Sequence, residues 1–186
     1  MLPFRLTETV TLELLDLRHA DELFALTDAN RAHLRTWLPW VDRARSADDT
    51  RVFIKQTQQQ WGDNNGFQTA ILEQGAIVGV IGLHGVNWDH RSTSVGYWQS
   101  ERAQGRGIMT TACRAFTQHA FETLALHRVE TRCATENRRS RAIPERLGFT
   151  TEGTIREAEW LYDHFVDHVV YGMLSSEWQP RAESSP

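Results

Sequence analysis

A short glycine-containing segment, residues 104–110, constrains this chain more than any other part of its sequence. It follows a strand-like stretch that ends near Trp98, and it precedes a run of apolar residues at helical spacing. Two glycines separated by one residue let the backbone approach a ligand closely, because neither carries a Cβ atom. The first turn of a helix also offers unpaired N–H groups and a partial positive charge. The segment therefore predicts a site for a phosphate-bearing cofactor, although a glycine turn that only starts a helix would share the pattern.

Several common cofactor sites fit the sequence poorly. A P-loop requires a Lys after its last glycine, and none follows here. A dinucleotide-binding loop requires a third glycine where this chain has Thr110, and its acid, Glu130, would lie inside a predicted strand. His164 and His168 are four residues apart in a strand-like segment and lack a third ligand, so we predict no metal.

Length and composition limit the class of protein. A chain of 186 residues is long enough for one domain, which we expect to span residues 1–178 and to be followed by a flexible tail at 179–186. We find neither an apolar run of membrane-spanning length nor a secretory signal, so we expect a soluble, cytoplasmic protein. Cys113 and Cys133 fall in different predicted elements and indicate two buried thiols rather than a disulfide framework.

The charges are distributed unevenly along the chain. The formal net charge of -4 disfavours nucleic acid as a partner. Residues 101–146 nevertheless hold nine arginines and five glutamates, which leaves the remainder acidic. An anionic cofactor beside the basic region and a cationic substrate beside the acidic region would fit this asymmetry. Solvated helix faces would produce the same distribution.

The apolar patterns predict the order of the elements. A strand over residues 10–17 and a helix precede a second helix capped by Ser46 and a hairpin that turns at Gly75. A helix, an alternating strand, a short helix ended by Gly148 and two strands follow the glycine segment. This order predicts an α/β (α+β) fold in which helices flank a central, twisted, mixed but mostly antiparallel sheet. A ligand would bind at the carboxyl end of the strand at 95–99.

With this order established, the chain resembles the GNAT superfamily of acetyl-CoA-dependent N-acetyltransferases. The family's phosphate loop, Gln/Arg-x-x-Gly-x-Gly/Ala, is matched at Gln104 and Gly107, and Met109 replaces its last small residue in a form typical of the RimJ/RimL branch. The resemblance covers roughly residues 5–178. Further matching segments are Trp-Leu-Pro-Trp at 37–40, Gly-Tyr-Trp at 96–98, Asn-x-x-Ser at 137–140, Leu-Gly-Phe at 147–149, Glu-Gly-x-x-Arg at 152–156 and Asp-x-x-x-Tyr at 167–171.

The resemblance implies that acetyl-CoA is the cosubstrate. The backbone of the glycine segment would hold the CoA pyrophosphate, Arg102 or Arg106 would meet ribose or phosphate oxygens, and Asn137 would hydrogen-bond the pantetheine arm. A backbone N–H near Trp98 or Gln99 would meet the oxyanion. The predicted cofactor-binding residues are Trp98, Gln99, Gln104, Gly105, Arg106, Gly107, Ile108, Met109, Thr110, Asn137 and Ser140.

Two side chains are candidates for the chemistry of acetyl transfer. Glu159 is our first choice as general base, because the RimJ/RimL branch has a glutamate in the corresponding segment. Glu157 and Asp163 remain alternatives. We interpret Ser140 first as a helix N-cap and second as the proton donor to the departing thiolate.

The acceptor is the least determined part of the prediction. The resemblance implies the N-terminal α-amine of a protein, with ribosomal proteins as its branch's substrates. A polyamine, an amino acid or an antibiotic would serve the same chemistry, and a non-catalytic acetyl-CoA sensor would share the cofactor motifs. We expect no membrane partner, and a homodimer is open because dimers are common in the family. The residues predicted to line the acceptor groove are Trp37, Trp40, Trp88 and Tyr97.

Overall fold

The computed structural model describes residues 4–179 and builds them around one eight-stranded sheet with the order β1-β2-β3-β4-β5-β6-β8-β7. Every neighbouring pair is antiparallel except β5 and β6. Apart from Gln179, the predicted tail lies outside the described residues. The strands are β1 (Phe4–Arg5), β2 (Val10–Leu14), β3 (Gly66–Glu73), β4 (Ala76–Asn87), β5 (Ser92–Gln99), β6 (Arg128–Ala134), β7 (Thr150–Leu161) and β8 (His164–Leu174).

Helices cover both faces of the sheet. On one face Leu23 and Ile54, from the first and third helices, pack with Val80 of β4. On the other face Phe116 of the fourth helix joins a larger cluster that contains Ile81. Burial of these apolar side chains is the main force that holds the helices to the sheet. Within residues 4–179, no helix has the length and apolarity needed to cross a membrane. The helices are α1 (Ala20–Ala29), α2 (Arg31–Arg35), α3 (Ala47–Gly62), α4 (Ile108–Glu122) and α5 (Arg138–Arg146).

The predicted fold class is confirmed, but the first long strand is shorter than predicted. The strand predicted over residues 10–17 ends at Leu14, because the Asp16 side chain accepts a hydrogen bond from the Arg18 N–H and begins a 3-10 turn. Ser46 caps α3 as predicted. Cys113 and Cys133 are both buried and free.

Strands β5 and β6 pair over a short distance and then diverge. Their parallel register runs from Ser92 opposite Arg128 to Ser94 opposite Glu130. Both strands continue beyond this point without pairing to each other. We call the gap between the unpaired parts, residues 95–99 and 131–134, the wedge. It opens toward the glycine segment that follows β5.

Candidate active site

The glycine segment presents its backbone to open space. Gly105 and Gly107 have φ values of 75° and 77°, a region that favours glycine. No heavy atom lies within 4 Å of a Cβ built on either residue. Gly107 is also the N-cap of α4 and supplies no side-chain cap, so the first N–H groups of this helix lack a side-chain partner. The segment has the properties of an anion-binding cradle.

The side chains of the glycine segment serve the fold rather than the cradle. Ile108 and Met109 are only 7% and 3% exposed and pack in the core, so only their backbone atoms can meet a ligand. This burial explains why Met is tolerated at a position where the family pattern has a small residue. Thr110, in the first turn of α4, is half-buried.

Two polar side chains of the segment are already engaged. The Gln104 amide contacts the His33 ring through Nε2 at 2.8 Å and accepts from Arg139 through Oε1 at 2.7 Å. Arg106 forms an ion pair with Glu73 at the end of β3. Gln104 therefore fastens the segment to α2 and α5, and Arg106 would have to leave its partner to meet a phosphate.

The edge of β5 that faces the wedge carries unpaired backbone donors. The Ser100 N–H donates to the Val78 carbonyl of β4 at 2.8 Å. Because alternate residues of an antiparallel strand bond to the same neighbour, Trp98 also bonds to β4, whereas Tyr97 and Gln99 direct their N–H groups toward the wedge. This alternation selects Gln99 over Trp98 as the source of an oxyanion donor. The Gln99 Oε1 atom is also buried without a hydrogen-bond partner among the described residues.

A phenol, a thiol and a hydroxyl meet where the wedge opens. The Ser140 Oγ lies 3.2 Å from the Cys133 Sγ and 3.5 Å from the Tyr97 hydroxyl, which donates to the Ser140 carbonyl at 3.1 Å. Burial raises the pKa of the Tyr97 phenol well above its usual value and also raises the pKa of the Cys133 thiol. Both groups therefore remain protonated near pH 7, and the Ser140 hydroxyl lies in a chain of neutral hydrogen-bonding groups.

The predicted cap of the short helix is wrong by three residues. Asn137, not Ser140, is the N-cap of α5, and its side-chain oxygen accepts from the Ser140 N–H at 3.1 Å. Ser140 lies in the first turn, which leaves its hydroxyl free for another role. An Asn side chain also carries two N–H donors, which the cap interaction does not use.

Glu159 lies next to a histidine near the end of β7. Its Oε2 is 3.5 Å from the His168 Nε2, and the two side chains are 31% and 16% exposed. His168 is directly opposite Ala134, the last residue of β6. The Glu159 carboxylate is therefore half-buried, and it lies beside the His168 imidazole near the end of the wedge.

The alternative acids have other partners. Asp163 forms an ion pair with His164 at 2.6 Å, which lowers the pKa of its carboxyl group. The Glu157 side chain is exposed, and its backbone N–H donates to Asp167. Across residues 4–179, no group of three or more His, Cys, Asp and Glu side chains is arranged to hold a metal.

A cavity of about 670 Å³ lies on the face of the sheet that α1 and α3 cover. Its wall includes Trp40 and Trp98, whose ring centroids are 5.7 Å apart, together with Tyr97. Trp37 does not line it. Trp88 is 42% exposed at the far end of β4, and its indole donates to the Asn64 carbonyl. Of the four residues predicted to line the acceptor groove, Trp40 and Tyr97 therefore line this cavity, whereas Trp37 and Trp88 do not.

The sequence analysis missed polar residues that line this cavity. Gln68 and His84 form part of its floor, and Asp49 and Arg43 form part of its wall. Isolated His and Gln residues in apolar strands carry no motif, so only the register of β3 and β4 could have indicated that they share a face. The rim residue Leu38 accepts a hydrogen bond from the Tyr162 hydroxyl at 2.6 Å, which links the cavity to the turn after β7.

These features define a class of protein. An anion cradle, a wedge with free N–H donors and an adjoining cavity with a nearby carboxylate suit a transferase with a long phosphate-bearing donor. The orphaned Gln99 oxygen and the open space at the two glycines fit the amides and the pyrophosphate of CoA.

Comparisons with known proteins give the family. Residues 9–150 match the acetyltransferase (GNAT) domain. The Bacillus subtilis (strain 168) protein YdaF, whose name assigns it to the ribosomal N-acetyltransferases, is 36% identical over 180 residues and matches across 96% of this chain and 98% of its own. The ribosomal-protein-serine acetyltransferase of Escherichia coli (strain K12) is 26% identical over 170 residues, with 91% and 95% covered.

Comparisons with solved structures point to the same family. RimL, a ribosomal L7/L12 alpha-N-protein acetyltransferase solved in complex with coenzyme A, matches with a TM-score of 0.88 at 26% identity over 91% of this chain and 96% of that chain. The microcin C7 self-immunity acetyltransferase MccE, in complex with acetyl-CoA and AMP, gives 0.87 at 25% identity, with 91% and 94% covered. The chain belongs to the GNAT acetyltransferase family and is an acetyl-CoA-dependent N-acetyltransferase.

Proposed function

We propose that the protein transfers an acetyl group to the N-terminal α-amine of a protein in the cytoplasm, with a ribosomal protein as the leading substrate. The observation that carries this proposal is Glu159, a half-buried carboxylate beside His168, which lies opposite the last residue of β6. The names of YdaF and of the Escherichia coli relative support the substrate class.

The proposed acceptor suits a base of ordinary strength. An α-amine with a pKa of about 8 costs roughly 1.4 kcal/mol to deprotonate at pH 7, whereas a lysine with a pKa of about 10.4 costs roughly 4.6 kcal/mol. Glu159 accepts the amine proton, directly or through one water, and His168 holds the carboxylate in place. The low cost for an α-amine means that no strongly basic group is required.

The wedge supplies the remaining groups. Acetyl-CoA supplies an acetyl group on a thioester. The N–H groups of Tyr97 and Gln99 stabilise the charge that develops on the carbonyl oxygen, and each such donor contributes up to about 4 kcal/mol in a site that excludes water. Ser140 donates a proton to the departing thiolate and takes one back from solvent, to which Glu159 releases the amine proton, so both groups return to their starting states. The Tyr97 hydroxyl beside Ser140 keeps the serine oriented.

An acetylation assay tests the acceptor class. Release of free thiol from acetyl-CoA is followed with peptides that have a free N-terminus, with Nα-blocked peptides that contain lysine, and with small amines. We expect turnover of free N-termini and little turnover of the blocked peptides. Preferential use of blocked, lysine-containing peptides would contradict the proposal, and acetyl-CoA binding without any turnover would indicate a sensor.

A small-molecule acceptor is the second candidate. The cavity volume of about 670 Å³ lies within the range of ligand-binding pockets, roughly 300–1,000 Å³. MccE, with AMP in its structure, is a relative with a small-molecule ligand. Turnover of small amines at rates far above those of every peptide would select this candidate.

A further inference from the structure

Two glycines on neighbouring strands create the floor of the cavity. Gly82 of β4 is opposite Gly96 of β5, and Gln68 of β3 continues this row across the sheet. A Cβ on Gly82 would lie 2.6 Å from the Gln68 Cγ, and one on Gly96 would lie 3.0 Å from the His84 Nε2. Neither glycine has a positive φ, so space rather than backbone conformation explains them. The side chains of Gln68 and His84 lie over the two glycines.

This floor is polar, and the walls around it combine apolar side chains with polar ones such as Arg43 and Asp49. Burial lowers the pKa of His84, so its ring is neutral near pH 7 and carries one donor and one acceptor nitrogen. Within residues 4–179, neither the His84 ring nor the Gln68 amide has a hydrogen-bond partner. Leu23, Phe53 and Trp98 are among the walls. Both side chains are half-buried, so an occupant that displaces water from them would have to supply hydrogen-bond partners in its place.

The floor is set back from the reacting centre. The oxyanion donors are the N–H groups of Tyr97 and Gln99, and His84 lies over Gly96. A strand rises about 3.3 Å per residue, so residue 98, midway between the donors, is about 7 Å from the floor. A serine or alanine side chain is too short to span this distance from the reacting amine. A side chain the size of tyrosine spans it.

We propose that this cavity recognises the group next to the reacting amine, and that it favours an aromatic ring bearing a hydrogen-bonding atom, with a phenol as the simplest case. The ring packs between Trp98 and Phe53, and its hydroxyl bonds to His84 and Gln68. For a protein acceptor this inference rests on the proposed function and identifies the first side chain of the substrate as tyrosine-like. For a small-amine acceptor, the inference about the cavity holds even if the protein does not acetylate N-termini.

The test compares acceptors that differ by one hydroxyl. The value of kcat/KM is measured for peptides that begin with Tyr, Phe or Ser, and for tyramine and phenethylamine as the corresponding free amines. We expect Tyr to exceed Phe, and tyramine to exceed phenethylamine, by about fivefold, the effect of one net hydrogen bond. The two ratios should fall toward one in His84→Leu and in Gln68→Leu. His90→Leu, which makes the same change in the exposed turn between β4 and β5, should leave both ratios unchanged.

The outcomes separate the two proposals. Equal rates for Tyr and Phe, a preference for Ser, or ratios that survive in both Leu variants overturn the cavity assignment, even where free N-termini are acetylated. If no peptide reacts but tyramine exceeds phenethylamine and loses this advantage in His84→Leu, the N-terminal acceptor is wrong and the cavity assignment stands. Two variants are used because a folding defect in one, visible in its thermal melt, leaves the other to decide.

Discussion

At the scale of single residues, substitutions can show which acid near the end of β7 is the general base. Glu159→Gln keeps the size of the side chain and removes its basicity. We expect kcat to fall by about 10²–10³-fold, as general-base losses do, with little change in the affinity for acetyl-CoA. The measurement is steady-state kinetics with a free N-terminal peptide, together with direct binding of acetyl-CoA.

Glu157→Gln is the matched control for this prediction, because Glu157 is an exposed acid two residues earlier on the same strand. It should retain nearly full kcat. A large loss in Glu157→Gln and an unchanged rate in Glu159→Gln would assign the base to Glu157.

Asn137 has two roles that one pair of variants separates. Asn137→Ala removes the N-cap of α5 and should cost about 1 kcal/mol of stability, or roughly 2–4 °C in Tm. Asn137→Ser keeps a capping oxygen without adding charge, so its Tm should stay near that of the wild type. Its KM for acetyl-CoA should still rise, because the amide N–H donors predicted to meet the pantetheine arm are lost. An unchanged KM in Asn137→Ser would restrict Asn137 to the cap.

At the scale of elements, the turn before α4 is where conformation and ligand approach coincide. Gly107→Ala forces a left-handed φ on a side chain, at a cost of about 1–2 kcal/mol. It also puts a methyl group into the space that the cofactor should occupy. We expect both a lower Tm and a KM for acetyl-CoA raised by more than tenfold.

Gly75→Ala measures the conformational cost alone. Gly75 has a φ of 84° in the β3–β4 turn and equally open surroundings. Gly75→Ala should lower the Tm by an amount similar to that of Gly107→Ala, without changing the KM for acetyl-CoA. Equal KM values in the two variants would show that the cradle does not contact the cofactor.

The elements were more predictable from the sequence than the site was. Alternation and helical spacing mark most strands and helices, because burial on one face has a fixed period. The short pairing of β5 with β6 has no such signature, since both strands keep their alternation after they part. The cap at Asn137, the Glu159–His168 pair and the polar floor depend on contacts between distant residues. Trp88 shows the converse error, because its aromatic character indicated a groove that its position at the far end of β4 does not reach.

At the scale of the whole molecule, two half-buried histidines make stability depend on pH. Burial lowers the pKa of His84 and of His119 below the usual 6.5. Below pH 6.5 the unfolded chain therefore binds more protons than the folded chain, and stability falls as the pH decreases. Stability from these two groups is fully present above about pH 7 and is lost as the pH falls from 6.5 through their folded values.

Urea unfolding at pH 7.5, 6.5 and 5.5 measures this dependence. The ion pair with Arg128 lowers the pKa of Glu152, so titration of this carboxylate changes stability mainly below about pH 4.5, outside the pH range of this experiment. His84→Gln and His119→Gln should each flatten the slope, whereas His90→Gln, an exposed control, should retain it. If neither His84→Gln nor His119→Gln changes the slope, the pH dependence belongs to other groups.

The position of β5 between the two ligand sites has a consequence for how this enzyme can change. Gly96 and the Trp98 side chain border the acceptor cavity. Tyr97 also touches the cavity wall, but its side chain packs in the cluster on the opposite face, and its hydroxyl reaches the Ser140 carbonyl. Substitutions at even positions can therefore alter substrate range while donor binding persists. A deletion of one residue within β5 would exchange the two sets and abolish both functions at once. We therefore expect β5 to accept substitutions during evolution but not insertions or deletions.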